Sequence, residues 1–342
     1  MADRVIVVGV RRGHERITAS EISQMVGRAG RKHGGGVCQT HILAEEDDYD
    51  DVVFEMSDKD SFKVESKFDS LDGLAFHVLP DICNGLVRNT DEAKEWYRRS
   101  FASFQGKKVN FDKVFSYLEK TGAIKKGSDG FVATVVGEVA TRLYFHPADV
   151  GAWRDNFSTL FGMGMECDDL AVAWALGNVP IHRVSGDLGK QWHIVSECKG
   201  NMPPGLDMDD GTSVTITLWW CALGGPSVGK MRNQMLSLRD DFGRIENALI
   251  SLDKRETKWG MTDFFEDLEA RMKRGIPSVL SELCKLPKIS KNRAAYLYNM
   301  GVRDVSGIKE IVGSIDDEVD EDFLQALRNI AGESVAKSSR SL

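Results

Sequence analysis

Eight consecutive residues, Gln24-Met25-Val26-Gly27-Arg28-Ala29-Gly30-Arg31, set two guanidinium groups three positions apart beside two glycines. At that spacing both arginines lie on one side of a helical turn and can reach the same polyphosphate, while the glycines let the backbone approach it closely. Fixed positive charge of this kind stabilises a transferring phosphoryl group, and one such arginine can be worth ~10³–10⁵ in rate. Gln24, Arg28 and Arg31 are therefore the candidate catalytic residues, with Gly27, Arg28 and Arg31 as candidate nucleotide contacts. A Gly-Arg-rich loop that binds phosphate without chemistry is the plainer reading of the same residues.

A second cluster runs Leu286-Pro287-Lys288-Ile289-Ser290-Lys291-Asn292-Arg293-Ala294-Ala295-Tyr296-Leu297. It resembles a helix-hairpin-helix, in which hairpin amides and the next helix's N-terminus hold a nucleic-acid phosphate without reading sequence. Lys288 and Ser290 stand where such hairpins carry glycine, and Lys288, Lys291 and Arg293 bring charge to the same side. Units of this kind also serve purely as packing modules. A third pattern, Gly224 to Lys230, fits G-x-x-x-x-G-K behind a strand-like run, but Met231 stands where a magnesium-binding Ser or Thr is required. No acidic partner follows it at the end of a buried strand, so it is not read as a working phosphate loop.

These residues need elements to hold them. Arg4-Val5-Ile6-Val7-Val8-Gly9-Val10 reads as a strand buried on both faces of a parallel sheet. Arg11 to Arg16 with Ile17-Thr18 reads as a short hairpin with a basic tip, and Ser20 as the N-cap of a helix through Ile22, Met25 and Val26. The acidic stretch Glu45–Asp51 reads as a solvated linker. Helical spacing recurs over 74–104, and 111–145 reads as helix, turn and a Gly127–Gly130 β-wing, the order of a winged helix. Residues 150–200 read as helices with loops, 212–223 as a strand, 228–253 as one long helix, and 264–330 as a last helical unit.

The chain has 342 residues, 42% hydrophobic and 28% charged, which excludes disordered and fibrous classes and allows two or three cores. Its net charge of -8 argues against coating nucleic acid by bulk attraction, so any grip must be local. Six dispersed cysteines without a Cys-x-x-Cys pair suggest neither a disulfide framework nor a metal site, and no run has the apolar length of a signal peptide or membrane span.

The motif from Gln24 to Arg31 resembles motif VI of superfamily 2 helicases, in the Ski-like branch. Val64 to Phe68, Leu74 to Gly85 and Thr134 to Pro147 are similar to that branch's segments after the motor, and the overall likeness is to archaeal-type DNA repair helicases. The resemblance implies a mixed, mainly α fold: the end of a RecA-like α/β motor lobe (1–62), a winged helix (63–148), a helical ratchet-like domain (149–272), a helix-hairpin-helix domain (273–332) and a disordered tail (333–342). It makes Arg11, Arg12, Gly13 and His14 candidates for a strand-separating pin, although an ordinary surface turn reads equally well. It places a single-strand channel along the 228–253 helix, where Arg239, Phe242 and Arg244 are the nearest substitutes for its basic and aromatic grips; a core Phe242 with two solvated arginines is the competing reading. Lys288, Ser290, Lys291 and Arg293 complete the candidate DNA contacts. Walker A and DExH motifs are not found, and residue 1 falls just after the place of motif V. The expectation is thus the C-terminal part or subunit of an ATP-dependent 3′–5′ DNA helicase, inactive alone. It would use ATP and Mg2+ only with a second polypeptide carrying the first RecA-like lobe, act on single-stranded or forked DNA in repair or replication, and reside in the cytoplasm or at the nucleoid. A non-catalytic DNA-binding adaptor derived from a helicase is the alternative.

Overall fold

The computed structural model describes residues 4–12, 15–29, 38–58, 64–66, 68–165, 167–180, 188, 191–206, 212–229, 231–313 and 319–339, with 212 and 333–339 described by backbone only. Two compact units emerge, one of Met1–Asp69 with Tyr97–Lys108, the other of Ser70–Trp96 with Val109–Leu342.

The first unit begins with β1 (Arg4–Val8), the hairpin β2 (Arg11–Arg12) and β3 (Glu15–Arg16), α1 (Ala19–Val26), β4 (Gln39–Leu43) and α2 (Glu46–Ser57). β1 and β4 run parallel, with Val7 opposite Ile42. One face of this pair packs on Val10, Ile22 and Val52, with Val26, Ile42 and Met56 around them. Alternation along a strand sends the neighbouring residues the other way, and Ile6, Val8 and Leu43 stand 60%, 80% and 55% exposed. The strand expected to be buried on both faces is therefore covered on one. The helix start is also shifted: Thr18, not Ser20, caps α1, forming a reciprocal capping box with Glu21. The acidic stretch is not a linker. Glu46, Asp47 and Asp48 form the first turn of α2, where negative charge suits the helix dipole, and Asp48 is buried.

Next come α3 (Leu71–Cys83), α4 (Thr90–Arg98), α5 (Phe101–Phe104, in the first unit), α6 (Phe111–Lys120), strands β5 (Ile124–Gly127) and β6 (Gly130–Ala133), and α7 (Val135–Leu143). α3, α6 and α7 pack together with the β5–β6 wing, whose two-residue turn Ser128–Asp129 matches the expected position. Phe111, Val114, Phe115 and Leu118 bury one face of α6. Gly137 lets α7 come close, because a Cβ there would fall 2.2 Å from the Ala123 carbonyl oxygen.

The helical body continues through α8 (Pro147–Gly162), α9 (Asp169–Gly177), α10 (Trp192–Asn201), α11 (Thr212–Ala222), α12 (Met231–Leu252), a π-helical turn (Asp253–Thr257) and α13 (Thr262–Arg274). The 212–223 stretch is helix α11 instead of a strand. Its Val214, Thr215, Ile216 and Thr217 favour strands intrinsically, but α11 is buried along its length against α9, and Thr217 satisfies its hydroxyl on the Ser213 carbonyl four residues back. Tertiary burial overrides propensity here. This also removes the strand that a Gly224–Lys230 phosphate loop requires; Lys230 itself lies outside the described residues. Arg271, 2% exposed, ties the body together: it forks onto Asp169 at 2.7 and 3.0 Å, reaches Asp267 at 2.7 Å and donates to the Ala222 carbonyl.

The chain ends in a 3₁₀ turn (Ser278–Leu280), α14 (Ser281–Cys284), α15 (Lys291–Asn299), α16 (Val305–Ile311) and α17 (Glu321–Ser339), the last extending into the segment expected as a tail. Leu283, Ala294, Leu297, Ile308, Phe323 and Leu327 form its core.

Candidate functional site

The described part of the Gln24–Arg31 motif sits at the C-terminal end of α1. Ile22 and Val26 anchor that helix to the core, which leaves Gln24, Gly27 and Arg28 exposed together at its far end. The backbone tightens there, with the Gly27 amide bonded to the Ser23 carbonyl and the Arg28 amide to that of Met25. Among the described residues no carboxylate pairs with the Arg28 guanidinium, so its charge faces solvent. Gly30 and Arg31 lie outside the described residues. Gln24 and Arg28, one turn apart, are thus presented on one exposed helix end, one β-α step from the parallel strand β1.

The basic hairpin is neutralised from within its own unit. Arg11 forks onto Asp48 at 2.6 and 2.7 Å, and Arg16 reaches Asp51 at 2.5 Å and Glu55 at 2.8 Å. Arg12 lies 3.5 Å from Glu21, and His14 and Gly13 lie outside the described residues. Hydrogen bonds from Arg11, working against desolvation, hold the Asp48 carboxyl below its usual range. Sequence reasoning missed Asp48, Asp51 and Glu55 as partners. Their i, i+3, i+7 spacing, which places three acids on one face of a helix opposite the hairpin's arginines, was the available signal.

Along α12 the three candidates part company. Phe242 is 2% exposed and belongs to the core, so it offers no face on which a base could stack, and the core reading replaces the grip. Arg239 is half-buried and donates to the Gly225 carbonyl at 3.4 Å, beside Cys221, whose thiol burial pushes up to about 11 against the pull of that guanidinium. Arg244 is exposed. It pairs with Asp241, donates to the Leu143 carbonyl at 3.1 Å and lies over the Phe145 ring at 4.8 Å.

In the C-terminal hairpin, Lys288 adopts φ +61°, keeping the left-handed conformation that glycine would take without strain. Ser290 caps α15 through the Arg293 amide. The basic side chains are spoken for: Lys291 donates to the Gly224 and Gly275 carbonyls at 2.9 and 2.6 Å, and Lys288 pairs with Asp322 at 2.8 Å. Arg293 reaches Asp320 and Asp322 and lies 5.0 Å over the Phe323 ring. Lys291 is thereby an internal cap for two chain turns, while Lys288 and Arg293 dock the start of α17.

A parallel strand pair, a helix–turn–β-wing unit, a helical body and a terminal hairpin follow one another along the chain, which is similar to ATP-dependent DNA helicases. Its relatives include the ATP-dependent DNA helicase Hel308 of Thermoplasma volcanium, 25% identical over 306 residues that cover 83% of this chain and 42% of that protein. Hel308 of Thermococcus kodakarensis is 24% identical over 337 residues, 90% of this chain and 30% of the relative. Hel308 of Caldivirga maquilingensis is 30% identical over 165 residues, 43% of this chain and 21% of the relative. The chain thus spans less than half the length of these curated relatives. No family model matches it. Among the described residues, no helix is long and apolar enough to cross a membrane.

Proposed function

We propose that the chain supplies the motif VI arginines to a composite ATPase site completed by a polypeptide with the first RecA-like lobe, and that its helical unit guides single-stranded DNA. The observation that carries this reading is Arg28, unpaired among the described residues, at the end of a helix that covers one side of a parallel strand pair whose other face exposes Ile6, Val8 and Leu43 between polar residues. Parallel sheets persist with both faces covered, so Ile6, Val8 and Leu43 call for a further layer of the kind that the rest of a motor lobe provides. The relatives' names, ATP-dependent DNA helicases, point the same way.

The residues present fit the γ-phosphate end of such a site and no more. Arg28 and Arg31 bring permanently charged donors to phosphate oxygens, Gly27 allows close backbone approach, and Gln24 shares the same exposed helix end. ATP with Mg2+ supplies the phosphoryl group and the metal's charge neutralisation, and the ligands for that metal belong to the complementing lobe. The same reading carries 3′ to 5′ polarity, a role in repair or replication, and residence in the cytoplasm or at the nucleoid as parts of the proposal.

The test is reconstitution. The chain alone should hydrolyse no ATP, addition of a first-lobe polypeptide should produce DNA-stimulated hydrolysis, and Arg31→Ala should lower that rate about a thousandfold or more. A reconstituted rate indifferent to Arg31→Ala would overturn the composite site and leave a DNA-binding adaptor.

A further inference from the structure

We propose that Tyr144, with Arg142 and Arg244 close by, is a stacking platform for a base of single-stranded DNA. This rests on the reading that the helical unit handles single strands, and it assigns a place where the strand is held.

Tyr144 closes α7 with φ +62° and ψ +39°, a left-handed conformation that glycine adopts freely and a bulky side chain does not. The result is a large aromatic ring turned outward, 72% exposed. Its orientation is fixed from below: Phe76 meets it edge-on at 5.3 Å between centroids, and Phe76 itself stacks on His146 at 6.3 Å. A rigid exposed ring with an open face costs little conformational entropy when a base settles on it.

Two arginines stand close to Tyr144 along the chain and through its neighbours. Arg244, reaching across from α12, donates to the carbonyl of Leu143, the residue before Tyr144, and its guanidinium covers the ring of Phe145, the residue after. Arg142 on α7 donates to Ser251 of α12 at 2.8 Å. Asp241 takes two of Arg244's N–H bonds, and a third goes to Leu143, so part of its five-donor fork is left for a phosphate. Aromatic surface interleaved with arginine is what holds a strand without reading its sequence, since every base has a π-face and every linkage a charge. The slot beneath, lined by Phe76, His77, Tyr144 and Phe145 among others, measures only about 40 Å³. A base therefore stacks on the outer face of Tyr144 and does not enter a pocket.

The experiment compares binding of a fluorescent oligo-dT strand with an abasic strand of equal length, for the whole chain and three variants. Tyr144→Gly should weaken oligo-dT binding about tenfold, leave abasic-strand binding unchanged, and unfold at or above the wild-type temperature because glycine relieves the left-handed strain. Tyr144→Phe should bind like wild type, and Arg244→Gln should reduce the salt slope by about 0.7. Equal oligo-dT affinity of wild type and Tyr144→Gly would overturn the platform while leaving strand guidance intact. If the wild-type chain bound neither strand, platform and guidance would fall together. A wild-type chain with no preference for oligo-dT over the abasic strand would assign Tyr144 to another class of partner and overturn the platform.

Discussion

The first unit gathers a small core around Val10, Ile22 and Val52 and leaves Ile6, Val8 and Leu43 of its strand pair in solvent, whereas the second buries most of α9 and α11 and one face each of α6 and α12, and ties α9 to α13 through Arg271. Most arginines among the described residues have partners in both units, and Arg28 is an exception. In the second unit Lys291, Arg293 and Arg271 satisfy themselves on internal carbonyls and carboxylates, while in the first Arg28 meets no carboxylate among the described residues. A unit that completes its own layers is a scaffold. On the proposed function, one that leaves a parallel strand pair half covered beside an arginine with no carboxylate among the described residues is completed by a second polypeptide. On the same proposal, this difference assigns the chemistry to the small unit and the grip to the large one.

The largest effect that would sharpen this contrast is loss of Arg271. Arg271→Ala removes a buried guanidinium and leaves the half-buried Asp169 without that partner, while Asp267 keeps Ser281 and Lys285, and should cost about 3 kcal/mol, seen as a lowered urea midpoint of the helical unit. Full retention of that midpoint would mean the second unit is not internally completed. A smaller change, of opposite sign, is expected at Lys288. Lys288→Gly relieves its left-handed strain, giving roughly 0.5–1 kcal/mol of stability after the entropy cost of glycine, and leaves the Arg293 pairs in place. Destabilisation would show that the Lys288–Asp322 pair holds α17 down. The smallest effect lies in the first unit and shows only in acid. The Asp48 carboxyl is held below its unfolded value, so its contribution is present above about pH 4 and is lost as pH falls through the lower folded value. Asp48→Asn should therefore flatten the acid limb of that unit's stability curve, measured by fluorescence-monitored unfolding. An unchanged acid limb would break the account of the hairpin as pinned to α2.

What could be read from the sequence was local. The Gln24–Arg31 pattern, the turn between Gly127 and Gly130, the long α12 and the Lys288 hairpin each depend on neighbours within a few residues, and each described one is found where spacing put it. The misreadings depend on distant partners. Helix α11 carries strand-forming residues, and only burial against α9 makes it helical. The acids of α2 look solvated until the hairpin arginines reach them, 35 to 39 residues away. β1 has the apolar density of a fully buried strand because its sequence suits two covered faces, while the structure supplies one. Phe242 shows the same limit in the site: helical spacing cannot say which side of α12 the rest of the molecule will cover.

The division of labour between the units is tested most directly by a split of kinetic constants. In the reconstituted complex, Arg28→Ala should abolish DNA-stimulated ATP hydrolysis, lowering kcat by about a thousandfold, with oligo-dT affinity unchanged. An Arg28→Ala complex that hydrolyses ATP at the unaltered rate, or one whose loss is recovered simply by adding more DNA, would contradict the claim that the small unit carries the chemistry.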